Sequence, residues 1–210
     1  MPVTRDDPRV SNGTAYSPLN LKQRVALLQS SGYTAEALSE MSDDEFTFDM
    51  LLKSGARAKH LMVARVSPQM LVARGMSNGA RSMRDLGFDA LHISDPVFCA
   101  ACIACFGAKD VVDNFVVTSH DAVALAGTPS ATQLDLTAEF LLKSCAGFPI
   151  QAATVVAELQ PVGKSLQGVS ADTVLDTGLR KAKLVELGFN SNAILEQTKA
   201  TPKQMQKLGF

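Results

Sequence analysis

The chain lacks an excess of charge of either sign and lacks any long apolar run. Its 20 basic residues are balanced by 21 acidic ones. Dedicated nucleic-acid binders usually carry a basic patch, so this balance counts against that class. The longest apolar stretch, residues 96–108, is too short to cross a bilayer. Residues 1–10 lack the apolar core of a signal peptide, so we expect an intracellular, cytoplasmic protein with no membrane span.

Histidine is also scarce, with only three residues in the chain. His60, His92 and His120 are far apart in sequence, so they do not indicate a shared site. Ser119 and Asp121 flank His120, but a catalytic triad is assembled from separate segments rather than from adjacent residues. We therefore interpret Ser119–Asp121 as a helix start and expect no enzymatic activity and no cofactor.

Glycine, in contrast, recurs about every twenty residues in similar surroundings, and such self-similarity is typical of repeat proteins. Glycine can end a helix in the left-handed conformation without steric cost. The segments LGFDALHI at 86–93, LGFNSNAIL at 187–195 and LGF at 208–210 show the shared context. The recurring positions are Gly87, Gly107, Gly127, Gly147, Gly168, Gly188 and Gly209.

A shorter pattern lies between the glycines, in which an apolar residue precedes Ser, Thr, Asp or Asn and then a helix-forming run. These polar side chains cap the exposed N–H groups at a helix start, and a following proline fits the first helical position. The pairs include Val66-Ser67, Met76-Ser77, Phe88-Asp89, Ile93-Ser94, Val117-Thr118, Leu136-Thr137, Val169-Ser170 and Phe189-Asn190. Each unit of about twenty residues is thus predicted to hold two short helices, which are stable only when packed on neighbours.

The predicted fold is all-α, an α-solenoid or compact helical-repeat domain over residues 21–210. Residues 1–20, with three prolines and little apolar periodicity, are predicted to form an extended N-terminal arm. The periodicity resembles that of short-helix repeat families such as the leucine-rich repeat variant. Tetratricopeptide, ankyrin and HEAT repeats have longer periods.

Three cysteines at spacings of three residues form the clearest candidate for chemistry. Cys99, Cys102 and Cys105 could ligate zinc or an iron–sulfur cluster. The fourth nearby cysteine and following proline of a bacterial ferredoxin motif are missing, and Cys145 is forty residues away. Small apolar cysteines that fill a tight contact between helices are the simpler interpretation, so no metal is expected.

The same residues suggest an interface. The positions two, five and eight residues before Gly107 are all cysteine. The corresponding positions before Gly188 are all charged residues. A helix that is apolar on nearly every side must be covered, either by its own chain or by a partner. Phe210 raises the same question, because it either folds back onto the last helix or meets another subunit. The predicted interface residues are Phe98, Cys99, Cys102, Cys105, Ala122, Leu125 and Phe210.

From these features we expect a non-catalytic structural or scaffolding subunit that acts by protein–protein contacts or self-association, as in a virion or an organelle complex. One alternative is a nucleic-acid-binding repeat that uses basic residues between 57 and 84. The second alternative is a cysteine-ligated metal or iron–sulfur protein. The basic residues are Arg57, Lys59, His60, Arg65, Arg74, Arg81 and Arg84.

Overall fold

The computed structural model describes residues 30, 47–63, 66–159 and 165–210. Within these ranges the backbone forms short α-helices joined by turns, with no β-strand. The predicted all-α array of short helices is therefore confirmed. The predicted arm at residues 1–20 and the repeat signals at 21–46 lie outside the described ranges, except for residue 30.

The described helices are four to eleven residues long and follow one another at intervals of about ten residues. The first eight are α1 (Phe48–Lys53), α2 (Ala58–Val63), α3 (Pro68–Ala73), α4 (Gly79–Asp85), α5 (Ala90–Ile93), α6 (Pro96–Phe106), α7 (Ala108–Phe115) and α8 (Ser119–Leu125). The remaining seven are α9 (Pro129–Gln133), α10 (Ala138–Lys143), α11 (Pro149–Glu158), α12 (Ala171–Asp176), α13 (Lys181–Glu186), α14 (Ser191–Thr198) and α15 (Pro202–Leu208). None of them is long enough to span a bilayer, which takes about 20 residues.

Most of these helices begin at a polar side chain that caps the first turn. At α8 the Thr118 hydroxyl accepts the Asp121 N–H at 3.2 Å, and the Asp121 carboxylate accepts the Thr118 N–H at 2.9 Å. This reciprocal pair satisfies two N–H groups that have no partner inside the helix. The predicted caps that the structure confirms are Ser67, Asp89, Thr118, Thr137, Ser170 and Asn190.

Two helix starts differ from the prediction. Asp95, not Ser94, caps α6 by accepting the Phe98 N–H at 2.8 Å. At α4 the N-cap residue is Asn78 rather than Ser77, and its side chain makes no capping hydrogen bond. The α4 N-terminus is instead capped from another part of the chain, which a local sequence pattern does not reveal.

The helix ends also follow the glycine pattern. All seven recurring glycines have positive φ, between 71° and 92°. At Gly188 the N–H donates to the Val185 carbonyl while the next N–H, of Phe189, donates to Leu184, which closes the helix with a Schellman-type pair. The glycine period of about twenty therefore spans two helices, because other helices end without glycine. Lys199, for example, ends α14 in the left-handed conformation.

The helices stack with a longer period than the glycines show. Contacts join elements about thirty residues apart, which is three helices along most of the described chain and two described helices from α10 to α12. We call this offset of about thirty residues one turn of the array. The contacting series are α3–α6–α9, α4–α7, α5–α8–α11 and α10–α12–α15. The apolar core fills the inside of this stack with fully buried residues such as Leu61, Phe115 and Leu141.

Carboxylates at the starts of three helices link successive turns. Asp110 on α7 accepts the Ala80 N–H of α4 at 2.8 Å and thereby provides the cap that α4 lacks locally. Glu139 on α10 accepts the Ser170 N–H at 2.8 Å, and Asp172 on α12 accepts the Gln204 amide N–H at 2.7 Å. These bonds join residues 30 to 32 positions apart, so they fix the offset between turns.

Candidate docking surface

The cysteine-rich helix α6 contacts α3, α4, α5, α7 and α9, while its Val97, Ala100 and Ala104 are exposed. Cys99 and Cys102 are fully buried, whereas Cys105 is partly exposed. Burial, with a smaller contribution from the two neighbouring thiols, raises the pKa of Cys102 to about 12. Burial also raises the pKa of Cys99 and Cys105. A thiol must lose its proton to bind a metal, so these surroundings work against ligation.

The other potential metal ligands in the described part of the chain are not grouped either. No group of three His, Cys, Asp or Glu side chains within the described residues is arranged to hold a metal ion. Cys145 lies buried in the turn after α10, and burial raises its pKa to about 11. The cysteines act as small apolar side chains in contacts between helices.

The predicted interface residues are covered mainly by their own chain. Cys99, Cys102, Ala122 and Leu125 are fully buried. Neighbouring helices of the same chain cover these four residues.

The two predicted interface phenylalanines are partly buried. The Phe98 ring stacks on Phe88, with ring centroids 5.3 Å apart. Phe210 folds back onto the body, where its N–H donates to the Met205 carbonyl and the Lys181 ammonium lies 5.6 Å from its ring centroid. Of the two arrangements considered for Phe210, the structure shows the intramolecular one.

The basic residues between 57 and 84 differ in exposure and in their contacts. The Arg84 guanidinium lies 3.5 Å from the Asp121 carboxylate and above the Phe115 ring, so its charge is paired within the chain. Arg57 donates to the Ala56 carbonyl at 2.8 Å. Arg65 lies outside the described residues. The exposed members of the group are Arg57, Lys59 and Arg81, whereas His60, Arg74 and Arg84 are partly buried.

The histidines have separate positions, as their spacing predicted. His92 accepts the Asp89 N–H at 3.2 Å and completes the capping box of α5, and His60 accepts the Arg57 N–H in the same way on α2. His120 is exposed at the second residue of α8. Asp121, the neighbour of His120, caps the start of α8, which confirms the interpretation of this sequence as a helix start.

Large apolar side chains are exposed on several helices, among them α5, α6, α11 and α13. Ile150 is 78% exposed, Leu91 69%, Val185 52% and Phe148 51%. We call these four residues the apolar ridge. Leu91 and Ile150 occupy the second position of α5 and α11, and α8 lies against both helices.

Two grooves accompany the apolar ridge. The larger, of about 550 Å³, lies between α11 and α13 and is lined by Ile150 and by the partly buried Leu187. The smaller, of about 270 Å³, lies between α5 and α8 and is lined by Leu91 and His120. Ridge side chains and concave apolar surface thus occur side by side, which is the arrangement that protein interfaces use.

The prediction from sequence missed the apolar ridge, although a local signal was present. The second residue of a helix is usually polar in this chain, as in Lys59, Gln69 and Lys109. Leu91 and Ile150 break that rule. Val97, on α6, breaks it as well and is also 78% exposed, but α6 belongs to a different stacked series. The three large apolar residues at this position are exposed, whereas the small Ala80 at the same position of α4 is fully buried.

No family model, no curated protein and no solved structure matches this chain. The functional conclusion therefore depends on the described geometry alone.

Proposed function

We propose that this protein is a non-catalytic helical-repeat protein that acts as a structural or scaffolding subunit of a larger assembly, such as a virion or an organelle complex. The observation that carries the proposal is the apolar ridge with its grooves. Large exposed apolar side chains cost free energy in water when left uncovered, and grouped ones are typical of binding sites.

The nature of the fold supports the same function. The stacked helices α5, α8 and α11 contact one another in series, and repeat proteins commonly bind other macromolecules along such series. The polar side chains around α5 and α8 are occupied by structural roles. His92 and Asp121, for example, hold the caps of their helices. The ridge thus offers apolar contacts and shape rather than reactive groups.

The test is photo-crosslinking in the native host, with a photoreactive amino acid at position 150 or, as the control, at position 97. Both positions are equally exposed in the chain, but only Ile150 belongs to the apolar ridge. We expect crosslinks to another polypeptide from position 150 in large excess over those from position 97. Equal yields from the two positions, or no crosslinked polypeptide from position 150, would refute the proposed function.

A further inference from the structure

Three lysines at and before α15 form a second candidate surface, separate from the apolar ridge. We propose that these residues, Lys199, Lys203 and Lys207, bind the phosphate backbone of a nucleic acid. We call them the lysine face. This binding activity goes beyond the proposed function and depends on none of the residues of the apolar ridge.

Charge is segregated along the chain, although its total is balanced. Residues 86–176 include three basic and ten acidic residues, whereas residues 177–210 include six basic and two acidic ones. Residues 197–210 contain no acidic residue. The balance of the whole chain therefore conceals a basic region at 177–210, where the lysine face lies.

The geometry of α15 places two of the lysines side by side. Lys203 and Lys207 are four residues apart on α15, and both are exposed. Side chains at this spacing lie on the same side of a helix, with Cβ atoms about 5–6 Å apart. The opposite side of α15 is buried through Met205 and Leu208. Lys199, which is also exposed, ends α14 four residues before Lys203.

The positive charge of the lysine face is not neutralised by the part of the chain that the structure describes. No carboxylate in that part forms an ion pair with Lys199, Lys203 or Lys207. Asp172 on α12 contacts α15, but its carboxylate accepts a hydrogen bond from the Gln204 amide at 2.7 Å. The three ammonium groups are therefore free to pair with external anions.

The surroundings of the lysines favour a nucleic acid over a protein or a membrane. Protein interfaces have apolar anchors at their centre and are depleted in lysine. A helix that binds a membrane surface inserts its apolar side, but that side of α15 is already buried in the chain. The exposed residues of α15 are Pro202, Lys203, Gln206 and Lys207. Lysine and glutamine are among the residues that contact phosphate oxygens, and such contacts do not depend on base sequence.

The experiment titrates the full chain into two fluorescein-labelled probes, a DNA duplex of about 20 base pairs and a single-stranded RNA of about 20 nucleotides. Three phosphate contacts predict that log K falls with log salt concentration with a slope of about −2.7 for the duplex and about −2.1 for the single strand. Between about 50 and about 200 mM salt, the affinity for the duplex should thus fall about 40-fold. Fluorescence anisotropy measures both slopes, and the probe that binds more tightly shows which form of nucleic acid the chain prefers.

Two variants locate this binding, and a third is the control. Lys203→Gln should make the duplex slope shallower by about 0.9, and the combination of Lys203→Gln with Lys207→Gln should make it shallower by about 1.8. Lys59→Gln removes the same charge from an exposed lysine in the basic group between 57 and 84 and should leave the slope unchanged. All three side chains are exposed, so far-UV circular dichroism should show the parent fold for every variant.

Three results would overturn the inference. They are binding of neither probe at about 50 mM salt, a slope that Lys203→Gln leaves unchanged, and an equal effect of Lys59→Gln. Binding to phosphatidylserine vesicles but to neither nucleic acid would likewise overturn it, because the occupant would then be a membrane. Crosslinks from position 150 test the apolar ridge separately, so the proposed function can fail or stand independently of this result.

Discussion

Replacing Gly127 by alanine should destabilise the fold by more than its backbone conformation alone explains. Gly127 has φ of 71°, and a Cβ atom added there would lie 2.6 Å from the Glu158 carbonyl oxygen at the end of α11. The left-handed conformation costs an alanine about 1–2 kcal/mol. The contact with Glu158 involves backbone, so one segment must shift, at a further cost of about 1–3 kcal/mol. We therefore expect a loss of about 2–5 kcal/mol in the free energy of unfolding.

The matched control is Gly147→Ala. Gly147 has φ of 77°, and a Cβ atom there meets nothing within 4 Å, so only the backbone cost of about 1–2 kcal/mol should remain. Urea unfolding followed by far-UV circular dichroism measures both variants, since the chain has no tryptophan. Equal destabilisation of the two variants would refute the reasoning, because it would mean that the close approach of Gly127 to Glu158 contributes nothing.

Three further predictions concern single residues. Partial burial acts to raise the pKa of Glu139, but hydrogen bonds from Ser170, Thr173 and Lys143 outweigh it and leave the pKa lowered. Glu139→Gln should therefore lower the free energy of unfolding by about 1–2 kcal/mol near neutral pH. This difference should shrink as the pH falls below 4.5, the ordinary pKa of a glutamate, because the carboxylate then becomes protonated. A difference independent of pH would contradict this prediction. Lys199 has φ of 54° at the end of α14, so Lys199→Gly should stabilise the chain by about 0.5–1 kcal/mol in urea unfolding, with Lys199→Ala near neutral. At mildly alkaline pH, Ellman's reagent should react with the partly exposed Cys105 in the folded chain but with the buried Cys102 only after unfolding. Equal reaction rates of the two thiols in the folded chain would contradict the described burial.

Helix starts and ends were largely predictable because their chemistry is local. Thr118 caps the helix that begins one residue later, and Gly188 ends the helix just before it. The information needed lies within four or five residues of sequence, since caps and Schellman pairs bond within that distance.

The stacking was not predictable in the same way. The glycine period of about twenty residues reflects where helices end. The stacking period of about thirty residues depends instead on which helices pack against one another. Asp110 caps α4 from 30 residues away, and no pattern near Gly79 indicates that partner. A single sequence shows which residues can cap, but not which remote helix needs the cap.

The candidate site was missed for a related reason. Cys102 and Ile150 are both apolar residues in helical segments, yet one is fully buried and the other mostly exposed. The difference does not lie in the helix as a whole, since Val97 on α6 is as exposed as Ile150, but in which face of each helix meets its neighbours. Burial of this kind is a property of the assembled turns, so residue type alone could not separate core from surface.

The turn of about thirty residues limits how the length of such a chain can change. Removing one helix of about ten residues would shift every later helix by one position in the stack. Carboxylates such as Asp110 and Glu139 would then lie away from the N–H groups whose hydrogen bonds they accept. Removing or adding about thirty residues would restore the same neighbours one turn earlier or later. Repeats in this architecture can therefore be gained or lost without loss of register only in steps of about thirty residues.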